Sequence, residues 1–323
     1  MMKNFWQKLP RPFLALAPME DVTDAAFRRL IARHGKPHVM FTEFTSADGL
    51  VLAPRSGQEK LRKKLLYAEN ERPMVVQLFS SIPERMEKAA HIAVELGFDG
   101  IDINMGCPDR AVERGGCGAA LMKNPALARA LIRAAKSSGL PVSVKTRIGY
   151  TKDELETWLP GLLTEEPAAI ALHARTRKEM SDVPARWERV KRAVKIRDSL
   201  GSKTLIIGNG DVRDITDARE KAAMSGADGI MLGRAIYGNP WLYNDLRSRY
   251  TPTPYERALV LMEHLELFDE LLSDTTSFAI MRKHFKAYIS GWNGAKELRI
   301  RLMETSTSAK AREVLAGALP ERV

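Results

Sequence analysis

The sequence predicts an α/β protein: a (β/α)8 barrel of the TIM type over residues 1–245, followed by a C-terminal all-helical domain over 252–323. Three observations carry this. Eight short apolar runs alternate with helix-patterned segments over about 240 residues, which suits a closed barrel better than an open sheet. Gly97-Phe98-Asp99-Gly100 and Gly226-Ala227-Asp228-Gly229 each end a helix and enter an apolar run, an internal echo of βα repetition. Beyond the proline-rich break at 250–254, only helical periodicity remains.

The first strand is expected over 13–19, stopped by Pro18, which has no N–H to give a ladder. A helix follows over 21–32, with Thr23 and Asp24 as cap candidates. The second strand spans 39–44 and leads to a basic stretch over 59–64. The third spans 73–78, and Ser80-Ser81-Ile82-Pro83-Glu84 opens the next helix in cap-and-proline form. Ile101-Asp102-Ile103-Asn104-Met105 is the fourth strand, running into Gly106-Cys107-Pro108. A helix over 125–138 precedes the fifth strand, 140–147. The sixth, seventh and eighth fall at 168–173, 203–208 and 230–232. In the C-terminal part, Leu259, Met262, Leu265 and Phe268 are expected on one buried helical face. Further helices are expected over 278–289, 295–303 and 308–318, with Phe285, Tyr288 and Trp292 on the core side.

A chain of 323 residues with 45% hydrophobic and 28% charged content can bury a large core without staples. Its 50 Lys+Arg against 40 Asp+Glu leave a net charge of +10, which suits a polyanionic partner such as nucleic acid. Two cysteines without a CxxC argue against a disulfide framework or a structural zinc site and for a reducing compartment. No apolar run approaches a membrane span, so a cytoplasmic protein is expected.

Barrels of this class place their chemistry at the C-terminal ends of the strands. Met19, Gln77, Asn104, Lys145, His173, Asn209 and Arg234 stand there. A lysine closing a buried strand wants an anionic partner, because an unpaired buried ammonium costs several kcal/mol. Asn209-Gly210-Asp211 and Gly233-Arg234 follow strands seven and eight, where a phosphate is commonly held. Cys107, in a glycine-proline loop at a strand end, is the candidate for chemistry, and Cys117 reads as packing beneath that loop.

Taken together, Ala17-Pro18-Met19 with Asp21-Val22-Thr23-Asp24, residues 102–108, 115–121 and 144–149, His173-Ala174-Arg175-Thr176-Arg177, Asn209-Gly210-Asp211 and Gly233-Arg234 resemble the tRNA-dihydrouridine synthases. The bacterial branch with an Asn-Met-Gly-Cys-Pro loop looks nearest, and Arg282-Lys283-His284 resembles the basic helix of the family's C-terminal domain. The chain departs from the family pattern at 178–187, where relatives carry a glycine- and tyrosine-containing loop. The resemblance implies an FMN enzyme, reduced by NADPH, that converts uridine in tRNA to 5,6-dihydrouridine. It implies that Ala17, Pro18, Met19, Gln77, Lys145, His173, Asn209, Gly210, Asp211, Gly233 and Arg234 bind the flavin. Cys107 is then the general acid at C5, and Asn104 and Arg147 hold the uracil. Lys60, Arg62, Lys63 and Lys64, with Arg282, Lys283 and Lys286, are expected to hold tRNA, and the protein is expected to be a monomer. Two other readings stand beside it: a flavin barrel reducing a free pyrimidine or another small conjugated substrate, and an RNA-binding protein without turnover.

Overall fold

Alternation of side chains along each strand decides what this molecule places inside. In the computed structural model, which describes residues 4–244, 246 and 251–318, the strands are Phe13–Leu16 (β1), Met40–Ser46 (β2), Met74–Phe79 (β3), Gly100–Met105 (β4), Val142–Arg147 (β5), Ala169–His173 (β6), Leu205–Asn209 (β7) and Gly229–Leu232 (β8). All pair in parallel in one sheet, ordered β1-β8-β7-β6-β5-β4-β3-β2. A parallel bridge between Ala15 and Val39 joins β1 to the chain entering β2 and closes the barrel.

One side-chain parity faces the helices. Met74, Val76 and Leu78 on β3, Ile101, Ile103 and Met105 on β4, and Ile170 and Leu172 on β6 are buried there in the large core. The other parity fills the interior, and its character changes along the strands. At the N-terminal end Trp6, Phe13, Ala15, Phe41, Val75, Ala169 and Ile207 form a second apolar core. Towards the C-terminal end the same parity reads Gln77, Asp102, Asn104, Ser143, Lys145, Arg147, His173 and Asn209. The barrel is therefore plugged at one end and polar at the other, as expected where chemistry sits on strand C-termini.

Local chemistry moved several boundaries. The first strand ends at Leu16, because Met19 starts a turn: its N–H donates to Thr23 Oγ1 at 2.9 Å and its carbonyl accepts from the Thr23 N–H at 3.0 Å. That turn uses up residues 19–23, so the helix begins after its cap Asp24, as Ala25–His34. The boundary read between 245 and 252 lies largely outside the described residues. Beyond it come the helices Pro254–Leu271, Met281–Tyr288, Ala295–Met303 and Ser308–Ala316. The face expected on the first of these is corrected: Leu259 is 37% exposed, and the buried side is Ala258, Leu261, His264, Leu265 and Phe268. This helix is covered by Ala25–His34 on one side and Ser308–Ala316 on the other, which broadens its buried stripe.

Phe27 of the barrel stacks on His264 and leans on His284, ring centroids 5.1 and 4.9 Å apart. Arg33 and His34 meet Glu263 at 3.0 and 2.6 Å, and Lys283 meets Asp21 at 3.1 Å. Phe285 and Tyr288 are buried, as the spacing implied. Among the described residues no helix is long and apolar enough to cross a membrane.

Candidate active site at the C-terminal end of the barrel

A cavity of about 600 Å³ opens at the polar end of the barrel. Ala17, Pro18, Met19, Lys145, His173, Asn209, Gly210, Asp211, Gly233 and Arg234 line it, together with Arg175, Ser181, Val212, Arg213, Met231 and Ala235. All the residues expected around a flavin are thus in its wall except Gln77. That side chain is 1% exposed and lies deeper, its Nε2 donating to Asp102 Oδ2 at 2.7 Å and its Oε1 accepting from Asn104 Nδ2 at 3.2 Å.

The wall joins an apolar side to a cationic one. Ala17, Pro18, Met19, Met231 and Ala235 present hydrophobic surface, while Lys145, Arg175, Arg213 and Arg234 supply charge. Burial, followed by Arg147 beside it, pushes the Lys145 ammonium down to about 8 against the pull of Asp102 and Cys107. Such an ammonium gains most from an anion in the cavity. Asp211, the one carboxylate among the described residues of the wall, is already satisfied: it accepts from Arg175, from Arg234 Nη2 at 2.9 Å and from the Ala185 N–H at 2.9 Å. Burial would raise its pKa, but these donors outweigh burial and hold the carboxyl below its usual range. Gly233 sits in the wall beside Met19 and Ala17, where a Cβ would lie 3.6 Å from Met19 Sδ and 3.7 Å from Ala17 Cβ, ordinary contact distances. At Gly210, with φ of +122°, a Cβ would lie 2.8 Å from that of Ala185. An anionic ligand with an apolar face fits this donor set.

His173 is neutral, held well below the usual imidazole range by burial and then by Lys145, Arg147, Arg175 and Arg234. Arg175 Nη1 lies 3.0 Å from His173 Nε2. A guanidinium only donates, so Nε2 is the acceptor and the ring proton sits on Nδ1.

The Cys107 loop leaves β4 beside this cavity. Asn104 is paired in register with Lys145, and its Oδ1 accepts from the N–H groups of Gly106 at 3.2 Å and Cys107 at 2.9 Å. Behind it the chain of bonds runs through Gln77 to Asp102, whose Oδ1 accepts from Ser143 Oγ at 2.6 Å. Burial raises the Cys107 thiol above its ordinary pKa, while the Asp109 N–H, Lys145 and Arg147 pull the other way. The group is a thiol, not a thiolate, at neutral pH. It is half-buried, whereas Cys117 is 7% exposed, its Sγ 3.5 Å from the Gly115 carbonyl.

The two residues expected to hold the uracil also support the loop. The Asn104 amide bonds the loop N–H groups and Gln77. Arg147 donates from Nε to the Gly106 carbonyl at 2.9 Å and from Nη1 to the carbonyls of Thr176 and Met180 at 3.1 and 2.9 Å. Both residues act as braces, satisfying loop carbonyls and amides that would otherwise be buried without partners. Asp102 and Ser143, unremarked as polar partners in the sequence, were findable: they share the inward parity of Asn104 and of Lys145. Arg175 stood inside a motif already singled out, two residues past His173.

Of the cations expected to meet tRNA, Arg282, Lys283 and Lys286 are exposed on the helix Met281–Tyr288. With Lys296, Arg299, Ile300, Met303 and Glu304 they line a groove of about 500 Å³. The Lys283–Asp21 pair sets this groove against the turn that carries Met19 into the cavity wall. On the helix Arg55–Lys64, Lys60 and Arg62 are exposed, while Lys63 and Lys64 pair with Asp274 and Glu20.

Comparison with known proteins bears on the family and the fold. The model of the family "Dihydrouridine synthase (Dus)" matches residues 15–323. A probable tRNA-dihydrouridine synthase 2 of Bacillus subtilis (strain 168) is 41% identical over 317 residues, covering 98% of this chain and 96% of that protein. A probable tRNA-dihydrouridine synthase of Staphylococcus aureus (strain COL) is also 41% identical over 317 residues, covering 98% and 95%. Among solved structures, morphinone reductase in complex with tetrahydroNAD matches with a TM-score of 0.54 and 14% identity over 77% of this chain and 90% of its own. A 2-naphthoyl-CoA reductase matches with a TM-score of 0.56 and 11% identity over 73% and 50%. These two share the barrel fold, while the sequence relatives span nearly the whole chain, so the chain belongs to the dihydrouridine synthase family.

Proposed function

We propose that the protein uses FMN and NADPH to reduce the C5–C6 double bond of a uridine in tRNA, giving 5,6-dihydrouridine. The observation that carries this reading is the juxtaposition of a cavity with one apolar and one cationic side and a protonated thiol on the adjoining loop. Lys145 would hold the negative charge of the flavin's pyrimidine end, with the Nδ1–H tautomer of His173 beside it. Asn209, Gly210, Gly233 and Arg234 would hold a single phosphate, which favours FMN over a dinucleotide. Arg175 and Asp211 keep His173 and Arg234 in place. When bound, FMN supplies the hydride that reaches uracil C6.

Cys107 supplies the other hydrogen. Its Sγ–H donates a proton to C5, and burial keeps that proton on sulfur at neutral pH until the base arrives. Asn104 and Arg147 fix the loop, and so the direction from which the proton comes. A uridine inside folded tRNA must be unstacked to enter the cavity, which requires the RNA to be gripped elsewhere. Residues 252–323 would do this through Arg282, Lys283 and Lys286, leaving 1–245 as the catalytic unit. We read the protein as a cytoplasmic monomer, in keeping with two free thiols.

Heat release of the cofactor from purified protein, identification by mass, and assay of dihydrouridine in tRNA test the reading together. FMN and NADPH-dependent product are expected. Recovery of FAD, or no flavin after reconstitution, overturns the cofactor assignment, and turnover of free uridine with none on tRNA overturns the substrate.

A further inference from the structure

Asp102 is a carboxylate buried in the barrel interior, 1% exposed, beneath the cavity and absent from its wall. Register sets it between Gln77 on β3 and Ser143 on β5, and both neighbours donate to it: Gln77 Nε2 to Oδ2 at 2.7 Å, Ser143 Oγ to Oδ1 at 2.6 Å. Each donor is neutral. They satisfy the two oxygens without cancelling the charge, which is left to act on a cation nearby. Burial raises the carboxyl to about 6 against Ser143, Gln77 and Lys145, so it is ionised at neutral pH.

That cation is Lys145. It pairs in register with Asn104, two residues on from Asp102, and strand alternation turns both Asp102 and Lys145 inward, about 8 Å apart along the diagonal between Cα atoms. The Lys145 ammonium stands in the cavity wall, and among the described residues no protein acceptor bonds it. Arg147, on the same strand, opposes its charge. Cys107, from the loop after β4, is a thiol, and His173 on β6 is a neutral ring. Asp211, across the cavity, is bonded to Arg175 and Arg234. The counter-charge left for Lys145 is Asp102, and Lys145 is in turn the charge that acts on Asp102.

We infer that Asp102 is a positioning residue: a counter-charge kept outside the cavity that holds the Lys145 ammonium in its charged form inside it. A carboxylate in direct contact would take up the ammonium's N–H donors, whereas one set beneath the floor leaves them to the ligand. In a flavin enzyme this maintains the cation that meets the pyrimidine end of the ring, so the inference rests on the FMN reading above.

Asp102→Asn tests it, because the new side chain keeps both bonds. Its Oδ1 accepts from Gln77 and its Nδ2 donates to Ser143 Oγ, which already lies 3.4 Å from the Ile101 carbonyl as an alternative acceptor. What is lost is the charge. Competitive acetylation of Lys145 across pH, read by mass spectrometry on the full chain after release of its flavin, gives the titration midpoint without any turnover. A midpoint near 8 is expected in wild type. In Asp102→Asn it should fall by about 1–2 pH units, the effect of one unit charge at about 8 Å with an effective dielectric of about 20. In the holoenzyme, the alkaline fall in the rate of flavin reduction by NADPH should move down with it, and the two proteins should converge below about pH 6, where Asp102 itself takes up a proton. Ser143→Ala removes one donor from the carboxylate and favours its protonated form, so it should move the Lys145 midpoint the same way by less; it decides the question where Asp102→Asn does not fold. An unmoved midpoint overturns the inference and leaves Asp102 as a structural partner of Gln77. A wild-type enzyme without flavin would overturn the functional reading instead, and the Lys145 midpoint would still decide the role of Asp102.

Discussion

Replacing Asn104 by alanine should separate the positioning of Cys107 from the holding of the cofactor. The side chain makes three bonds: its Oδ1 takes the N–H groups of Gly106 and Cys107, and its Nδ2 serves Gln77 Oε1. All three would lose their partner in a site where Asn104 is 5% exposed and Gln77 1% exposed. Each orphaned buried group costs about 1–3 kcal/mol, and with partial relaxation of the loop a total of about 3 kcal/mol is reasonable. At about 2.1 cal/mol/K per residue, 323 residues give an unfolding entropy of about 0.7 kcal/mol/K, so Tm should fall by about 4 °C. The freed loop no longer aims the thiol, so reoxidation of the NADPH-reduced enzyme by tRNA should slow at least tenfold. Reduction by NADPH should be unaffected, because Asn104 is not in the cavity wall. Stopped-flow traces of both half-reactions, with thermal melts, provide the assay. An Asn104→Ala protein with wild-type Tm and wild-type reoxidation refutes the brace; one that fails to retain flavin shows the amide to be a cofactor ligand instead.

Two further outcomes follow from the helical part. His284 is buried and its pKa is depressed to about 3 by burial and then by Lys283, with His264, Phe27, Tyr237 and Tyr288 as its ring neighbours. The unfolded chain therefore takes up a proton near pH 6.5 that the folded chain refuses, so stability is full above that pH and is lost as pH falls below it. At pH 5 the loss from His284 alone is about 2 kcal/mol, and His284→Phe should remove that share from the pH 5 to pH 7 difference in urea-melt stability. An unchanged difference would mean the imidazole is charged in the folded protein. Arg282→Glu with Lys286→Glu, both on the exposed face of Met281–Tyr288, should weaken tRNA binding and lower the salt slope by about one for each phosphate no longer neutralised, leaving NADPH reduction intact. Unchanged affinity at physiological salt would make this helix a merely solvated face.

The barrel was legible because its strands are short apolar runs punctuated by glycine and proline, and parallel strands buried on both faces read that way. Site positions were legible for the same reason: Lys145, His173 and Asn209 are polar residues closing apolar strands. What they bond to was hidden. Arg147 reads as a substrate residue, yet the fold also brings it the carbonyls of Thr176 and Met180, which lie far off in sequence. Gln77 reads as a strand-end amide, yet register places it against Asp102 beneath the cavity. The helix Pro254–Leu271 was misread on its face because periodicity reports one stripe, while neighbours on two sides bury more.

Whether Cys107 delivers the proton to C5 is decided by single-turnover reoxidation of the NADPH-reduced enzyme by tRNA. Cys107→Ala should bind tRNA and accept electrons from NADPH normally, yet form dihydrouridine about 10²- to 10⁴-fold more slowly, the usual worth of a general acid. Cys117→Ala, a swap of one small buried residue for another, should retain most of the rate. A near-wild-type rate in Cys107→Ala, with the slow turnover appearing in Cys117→Ala, would contradict the assignment.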